Sequence, residues 1–325
     1  MKILVVGGTG HIGSYLVPRL VCGGHEVKVV ARNPTPQYTD PRLAWGGGPE
    51  SAGQVEWIVA NRVAEERDGT WTERMAALDV EVVIDLICYT PEQNQTMVEA
   101  FEGRIQHFLH CGTIWAYGPP VRTPYRESDP RQPITDYGRN KATIEADLIN
   151  RYRMAGFPAT IIHPGHISGR KWLPIDPQGS RNGVEVYAKL ARGEVVHLPE
   201  FGLETIHHVH ADDLGQLFES AIIRRGASLG ESFSGVAPYA LSLVACCQFV
   251  ARLFGREPNI PFATPEEMEQ AMGAAWRITQ EHITHSPCCS IEKAQRLLGY
   301  SPRYTTEQIY IECLEYLLES GELVI

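Results

Sequence analysis

Residues 3–13 read ILVVGGTGHIG, an apolar run followed by glycines spaced three residues apart. In such a turn Gly7 permits a sharp change of direction, Gly10 lets the backbone approach a pyrophosphate, and Gly13 allows a helix to pack closely on the strand. The helix that follows offers free backbone N–H groups to an anion. The position of the turn, after a strand and before a helix, favours a dinucleotide site over an ordinary glycine-rich loop. The residues expected to contact the cofactor here are Gly7, Thr9, Gly10, His11, Ile12 and Gly13.

Strand-like and helix-like segments alternate outward from this turn. The predicted strands are Ile3–Val6, Val27–Ala31, Val55–Val59, Val80–Ile87, Ile105–His110 and Ala159–His163. The predicted helices between them are Ile12–Cys22, Glu92–Phe101 and Tyr137–Ala155. Alternating strands and helices indicate βαβ units and a parallel sheet, so the sequence predicts an α/β, Rossmann-like doubly wound fold.

The pattern loosens after Pro164. Helices are predicted at 184–192, 212–224, 241–254, 265–278, 291–298 and 306–320, and one strand at 206–209. We therefore expect residues 1–168 to form an NAD(P)-binding domain, with returning segments near 205–235. Residues 169–325 are expected to form mainly a smaller, mixed α/β substrate lobe built from non-contiguous C-terminal insertions.

Composition limits the class of protein. The 325 residues are 43% hydrophobic and 21% charged, which is typical of a soluble globular protein. Lys and Arg number 29 against 39 Asp and Glu, a formal charge of −10, which argues against a general nucleic-acid or anionic-membrane binder. No signal peptide or membrane span is visible, and the eight cysteines form no CxxC pair, so we expect a cytoplasmic protein with free thiols.

Three later motifs join the glycine turn. Residues 113–118, TIWAYG, follow the fifth predicted strand, residues 137–141 read YGRNK, and residues 208–214 read HVHADDL. Together these resemble the turn, the Ser/Thr-x-x-x-Tyr-Gly segment, the YxxxK motif and the "HVxD" signature of the extended short-chain dehydrogenase/reductase family, in family order. The resemblance implies an NAD(P)-dependent enzyme of a group that contains epimerases, dehydratases and reductases.

The YxxxK residues suggest acid–base chemistry. Tyr137 and Lys141 are four residues apart on a predicted helix and therefore share one face. A nearby ammonium is expected to lower the pKa of the phenol from its ordinary value near 10, which suits a general acid or base. Thr113 lies beyond the end of a strand, where it could hold the substrate oxygen. An isolated Tyr-x-x-x-Lys would usually be a solvated helix face, but the glycine turn favours catalysis by Thr113, Tyr137 and Lys141.

The end of the second predicted strand bears on the choice of nicotinamide. A NAD site usually has a carboxylate there, whereas this chain has Ala31 followed by Arg32. The missing carboxylate and the cation favour NADP, with NAD as the alternative, although Arg32 could instead stack on adenine or lie in solvent. Asn61 and Arg62 follow the third strand, where Arg62 could add a second positive group or be a surface arginine. Tyr137, Lys141 and Pro164 complete the expected cofactor contacts.

Departures from the family's subtypes narrow the reaction. Dehydratases carry an Asp-Glu pair after the Thr, but here Ile114 and Trp115 follow it, which disfavours elimination. Cys111 is in the wrong place for thiol-assisted epimerisation. The arginine that holds the diphosphate in nucleotide-sugar epimerases is replaced by Ile206, which counts against a nucleotide sugar.

Several histidines fall on the substrate side, and we expect Trp115, His166 and His208 to line the pocket. His282 and His285 have a metal-compatible spacing, but no carboxylate or cysteine completes a ligand set, so no metal is expected. The leading prediction is an NAD(P)-dependent oxidoreductase acting on a hydroxyl or ketone of a small polar, sugar-like substrate. The alternatives are a sugar or nucleotide-sugar epimerase with tightly bound cofactor, and a non-catalytic RNA-binding relative.

The resemblance also implies a homodimer, because in this family the helix that carries YxxxK commonly pairs across a two-fold axis. The predicted helix has apolar residues beyond those that one sheet face needs. These are Ile144, Leu148, Ile149 and Tyr152.

Overall fold

The computed structural model describes residues 1–35, 55–181 and 183–325. Its strands are β1 Lys2–Val6, β2 Glu26–Ala31, β3 Val55–Val59, β4 Val82–Asp85, β5 His107–Cys111, β6 Ala159–Pro164, β7 His166–Ser168, β8 Leu198–Pro199, β9 Thr205–Ile206, β10 His208–His210, β11 Ser232–Gly235, β12 Leu241–Ser242 and β13 Phe262–Ala263. Its helices are α1 His11–Cys22, α2 Arg62–Arg67, α3 Trp71–Ala76, α4 Pro91–Phe101, α5 Asp136–Ala155, α6 Glu185–Arg192, α7 Ala211–Ile223, α8 Arg225–Ser228, α9 Leu243–Leu253, α10 Pro265–Met272, α11 Ala275–His285, α12 Glu292–Leu298 and α13 Thr306–Ser320.

Seven parallel strands form the main sheet in the order β11-β6-β5-β4-β1-β2-β3. The chain builds β1, β2 and β3 outward on one side, then crosses to β4 on the other side of β1. Val6 of β1 therefore pairs with Val30 of β2 and with Asp85 of β4. This reversal is the switch point at which doubly wound folds bind ligands. The predicted α/β, Rossmann-like sheet is confirmed.

Both faces of the sheet are buried. Side chains alternate along β1, so Ile3 and Val5 pack on one face while Leu4 and Val6 pack on the other, and all four are fully buried. Helix α1 lies on the first face and packs against α7, despite Pro18 in its interior. A separate apolar cluster within residues 175–323 is built around α6, α9, α11 and α13. The domain boundary at residue 168 stays a prediction.

Close packing explains the glycine turn. Gly7 has a φ of +86°, which strains any residue with a side chain. A Cβ at Gly13 would lie 2.2 Å from the carbonyl oxygen of Gly8, so the turn folds back on the first turn of α1. Gly10 caps α1, leaving the next N–H groups without helical partners.

Three predicted elements of the C-terminal half differ from the structure. The strand at 206–209 is split at His207: β9 pairs with β12, and β10 pairs with β7. The helix at 241–254 begins two residues late, because Leu241–Ser242 is that strand partner. The helix at 265–278 is two helices, because α10 ends at Gly273, whose φ is +58°. None of the helices among the described residues is long and apolar enough to span a bilayer.

Candidate active site

The carboxyl ends of the central strands open on a cavity of about 410 Å³. Its walls come from the glycine-turn helix, the ends of β5 and β6, the start of α5 and two segments of the C-terminal half. Its polar and aromatic lining includes Thr113, Trp115, Tyr137, Lys141, His166, Trp172, Arg181 and His282. Among the residues described, no carboxylate lines this cavity. The cavity is therefore lined by cationic, aromatic and neutral polar groups together with the aliphatic side chains of Ile12, Leu86, Ile167 and Ile278.

Two hydroxyls meet at the floor of the cavity. Thr113 follows β5 and is buried, and its Oγ1 accepts the N–H of Trp115 at 3.2 Å. Tyr137 is the second residue of α5 and lines the same cavity, and the side chain of Thr113 is close enough to lower the pKa of its hydroxyl. The tyrosine as a whole is 40% exposed, while its hydroxyl end faces the cavity. The structure thus brings together the threonine and tyrosine hydroxyls that the sequence singled out.

Lys141 lies one helical turn beyond Tyr137 and is 1% exposed. Its Nζ donates to the carbonyl oxygens of Cys88 at 2.6 Å and Cys111 at 2.5 Å. It is 5.9 Å from the centroid of the Tyr137 ring. Two backbone carbonyls thus fix the ammonium beneath the cavity, close to the tyrosine ring.

The expected fall in the pKa of Tyr137 is wrong for this structure. Burial raises that pKa, and Cys111 adds to the effect, while the hydrogen bond with Thr113 and the charge of Arg181 oppose it only in part. The Lys141 ammonium instead donates its hydrogen bonds to the backbone carbonyls of Cys88 and Cys111. Tyr137 is consequently a neutral phenol at pH 7.

The cofactor-side arginines have different surroundings. Arg32 is exposed at the end of β2, next to the glycine turn's own strand. Arg62 is buried, and its Nη1 contacts Asp85 Oδ1 and Oδ2 at 3.0 and 2.8 Å. Its Nε also donates to Glu66 at 2.7 Å. Arg62 is thus a buried arginine whose charge is paired with Asp85 and Glu66. Asn61 caps α2, accepting the N–H of Ala64.

Aromatic rings form the substrate side of the cavity. Trp115 stacks on His285, with centroids 4.2 Å apart, and meets His282 edge-on at 5.3 Å. His166 lies 5.2 Å from His282. His208 lies 6.1 Å from His166 and is fully buried, and it is not among the lining residues. Trp115 and His166 therefore line the cavity, whereas His208 lies on β10, which pairs with β7 and contributes no lining residue. Their contact with a substrate stays a prediction.

The histidines of this cluster are neutral at pH 7. Burial lowers the pKa of His166 well below its usual value, and burial with the nearby Arg181 lowers that of His282 to about 4. They can thus donate and accept hydrogen bonds without carrying charge. No group of three potential metal ligands occurs in the described ranges.

A model of the "NAD dependent epimerase/dehydratase family" matches residues 3–86 and 92–228. The chain belongs to this family. The resemblance drawn from the glycine turn, TIWAYG, YGRNK and HVHADDL is confirmed, and with it the prediction of an enzyme that uses NAD or NADP.

Relatives in the epimerase/dehydratase family differ widely in what they do. A 2′-dehydrokanamycin reductase from Streptomyces kanamyceticus is 25% identical over 66% of this chain and 56% of its own length. A chloroplast stem-loop binding protein of 41 kDa from Arabidopsis thaliana is 24% identical over 93% of this chain and 75% of its own length. A UDP-glucuronic acid 4-epimerase from Bacillus cereus, solved in complex with NAD, shares the fold with a TM-score of 0.71. That structure is 18% identical and covers 98% of this chain and 99% of its own.

Two residues that line the cavity were not predicted from the sequence. Arg181 lines the cavity from the loop before α6, and no carboxylate of the described residues forms an ion pair with it. Trp172 stacks on His11 with centroids 5.2 Å apart, which joins the cavity wall to the first residue of α1. Neither residue belongs to a periodic segment, so no spacing could have placed it at the site.

Proposed function

We propose that this protein is an NADP-dependent oxidoreductase that interconverts a ketone and a hydroxyl on a small, polar, sugar-like substrate. The observation that carries this proposal is the pair of hydroxyls on Thr113 and Tyr137, held together in the cavity with Lys141 beneath. Reduction of the ketone is the direction that a neutral phenol suits, because a protonated Tyr137 is a proton donor.

The proposed mechanism assigns one task to each side chain. The nicotinamide, when bound, supplies or takes the hydride. The Thr113 hydroxyl and the Tyr137 phenol hold the substrate oxygen from two sides. As negative charge develops on that oxygen, Tyr137 donates its proton to it. The fixed ammonium of Lys141 then offsets the charge left on the phenolate.

The glycine turn fits the cofactor's pyrophosphate, since the first backbone N–H groups of a helix have no carbonyl partner within that helix, and Gly10 has no side chain to block an anion beside them. Arg32 supports NADP over NAD, because it is an exposed cation at a strand end that lacks a carboxylate. Arg62 is left out of this proposal, since Asp85 and Glu66 already neutralise its charge.

Substrate recognition is assigned to the far wall of the cavity. His166 and His282 offer neutral donors and acceptors, Trp115 offers an aromatic face, and Arg181 offers a positive charge. A related 2′-dehydrokanamycin reductase supports a reductive reaction. We propose a polar substrate with several hydrogen-bonding groups on this basis.

A sugar or nucleotide-sugar epimerase is the second candidate. Arg181 favours this candidate, because it places a cation in the cavity. Such a cation could bind the diphosphate in place of the arginine that Ile206 replaces. An epimerase would return the hydride to the same substrate and retain its cofactor through purification, whereas the proposed oxidoreductase exchanges it. One relative is named a stem-loop binding protein, but the −10 charge and the assembled Thr113–Tyr137–Lys141 set count against a non-catalytic RNA-binding role for this chain.

A screen of ketones, alcohols and sugars with both nicotinamides tests the proposal, following the absorbance of the reduced cofactor. We expect net turnover with NADPH or NADP, and a loss of about 10²–10⁴-fold in Tyr137→Phe with NADP binding intact. Tyr137→Phe that turns over like the parent, with cofactor bound, would contradict the assignment.

A homodimer also remains a proposal. Ile144 and Leu148 are fully buried in the core beside the sheet, so only the half-buried Ile149 and Tyr152 remain for a partner. A mass near 36.2 kDa by light scattering at micromolar concentration would exclude the dimer.

A further inference from the structure

A chain of buried hydrogen bonds leads away from Thr113. Its backbone N–H donates to Nδ1 of His163 at 3.1 Å, and Nε2 of His163 lies 3.0 Å from Oε1 of Glu145. Arg131 ends the chain with a forked contact, donating from Nε at 2.7 Å and from Nη2 at 2.6 Å to the two oxygens of Glu145. His163 is fully buried and Glu145 is 6% exposed. The chain therefore lies inside the protein, behind the cavity.

The first bond of this chain fixes the proton on His163. Because the N–H of Thr113 donates to Nδ1, that nitrogen carries a lone pair, and the ring proton lies on Nε2 and donates to Glu145. Burial alone would raise the pKa of Glu145, but the contacts with His163 and Arg131 outweigh it and hold the pKa well below its usual range. An ionised acceptor thus keeps His163 in the one tautomer that can accept from Thr113.

The imidazole ring of His163 packs directly against Gly112. A Cβ on Gly112 would come within 2.6 Å of Nδ1 of His163, so glycine is the residue that admits the imidazole. Arg131 is itself held: its guanidinium carbon is 4.0 Å from the centroid of the Tyr117 ring, and its Nη1 donates to the carbonyl of Glu127 at 3.0 Å. Neighbouring groups therefore hold both His163 and Arg131 in place.

The chain also ties the two reacting hydroxyls to one helix. Tyr137 and Glu145 lie on α5, eight residues and two turns apart on the face that also carries Lys141. Glu145 holds His163, and His163 holds the backbone of Thr113. The distance between the Thr113 and Tyr137 hydroxyls thus depends on this connection.

We propose that His163, held by Glu145 and Arg131, is a positioning residue that sets the direction of the Thr113 hydroxyl toward the substrate oxygen. The inference rests on the proposed function, which assigns Thr113 to that oxygen. A displacement of about 1 Å at such a group costs about a hundredfold in rate.

Two amide variants separate positioning from stability. In His163→Asn the short amide oxygen takes the place of Nδ1 and can accept from Thr113, but the side chain no longer reaches Glu145. In His163→Gln the amide nitrogen takes the place of Nε2 and reaches Glu145, but nothing accepts from Thr113. We expect kcat for the best substrate of the screen to fall about ten- to a hundredfold in His163→Gln, with KM and NADP affinity unchanged within about twofold. His163→Asn should retain most of kcat even where it is less stable.

A second measurement needs no substrate. Long-range ¹H–¹⁵N spectra of the parent should show His163 with its proton on Nε2, and the Thr113 amide should exchange at least about tenfold faster in His163→Gln than in His163→Asn. A proton on Nδ1, equal exchange in both variants, or kcat that follows stability alone would overturn the proposal. Failure of the proposed function itself would be distinct, because Tyr137→Phe would then keep its turnover.

Discussion

The Nζ of Lys141 lies 5.9 Å from the centroid of the Tyr137 ring and bonds the carbonyls of Cys88 and Cys111. The lysine therefore acts on the tyrosine through space and does not compete with the substrate for its hydroxyl. Tyr137 keeps its proton at neutral pH, because burial raises its pKa and Lys141 does not reverse this. This relationship leads to a prediction for the dependence of the reaction on pH.

Ketone reduction should be nearly independent of pH between about pH 6 and 9, because a group with a raised pKa remains protonated across that range. Alcohol oxidation should instead accelerate with rising pH, since it needs the phenolate. Profiles of kcat/KM in both directions measure this. Thr113→Val removes the group that lowers the pKa of Tyr137, so that pKa should rise further. The alkaline limb of the kcat/KM profile should therefore move to higher pH. A fall in the reduction rate below pH 8 as pH increases would count against Tyr137 as the donor.

Replacement of Arg32 should reduce the preference for NADP. Arg32→Ala removes an exposed cation beside the expected 2′-phosphate, so the ratio of NAD to NADP dissociation constants should fall by about tenfold. Isothermal titration with both cofactors measures it. Arg126→Ala is the matched control, because Arg126 is also exposed but pairs with Glu292 near the opposite edge of the sheet. Equal NAD and NADP affinity in the parent would refute the assignment.

Arg62 should affect stability and not cofactor choice. Arg62→Leu leaves Asp85 as a fully buried, unpaired carboxylate, which should lower the free energy of unfolding by about 3–5 kcal/mol. Urea denaturation measures the loss, and Arg62→Leu combined with Asp85→Leu should recover much of it. A change in the NADP preference without a loss of stability would instead return Arg62 to the cofactor site.

Gly13 should tolerate no side chain. In Gly13→Ala the new Cβ would meet the Gly8 carbonyl at 2.2 Å, so α1 must move away from the turn. We expect loss of NADP binding and a destabilisation of about 1–3 kcal/mol, measured by titration and urea denaturation. Gly226→Ala is the control, since nothing lies within 4 Å of the Cβ it would add. Unaltered cofactor affinity in Gly13→Ala would argue that the turn does not contact the cofactor.

Short-range sequence patterns predicted those features of the structure that depend on residues close together in the chain. The glycine turn, the main strands and the shared face of Tyr137 and Lys141 follow from spacing alone, because each depends on neighbours within a few residues. Arg62 could not be placed, since its partner Asp85 is 23 residues away and pairs with it through folding. The position of His208 outside the cavity lining also could not be predicted, because spacing does not report that β10 pairs with β7.

The same limit applies to the substrate wall. Arg181 and Trp172 come from a loop without periodicity, and the stack of Trp115 on His285 joins residues far apart in sequence. The raised pKa of Tyr137 depends on burial, which a motif does not report. Only the fold could therefore assign these groups to the cavity.

The stack of Trp172 on His11 has a kinetic consequence. Trp172, in the loop on the substrate side of the cavity, stacks on His11, the first residue of α1. The substrate and the nicotinamide cofactor would therefore bind on either side of this contact. A dinucleotide seated on that helix supports the wall before the second ligand enters. We therefore expect compulsory-order kinetics, with the nicotinamide first on and last off, and Trp172→Ala should loosen that order toward random addition.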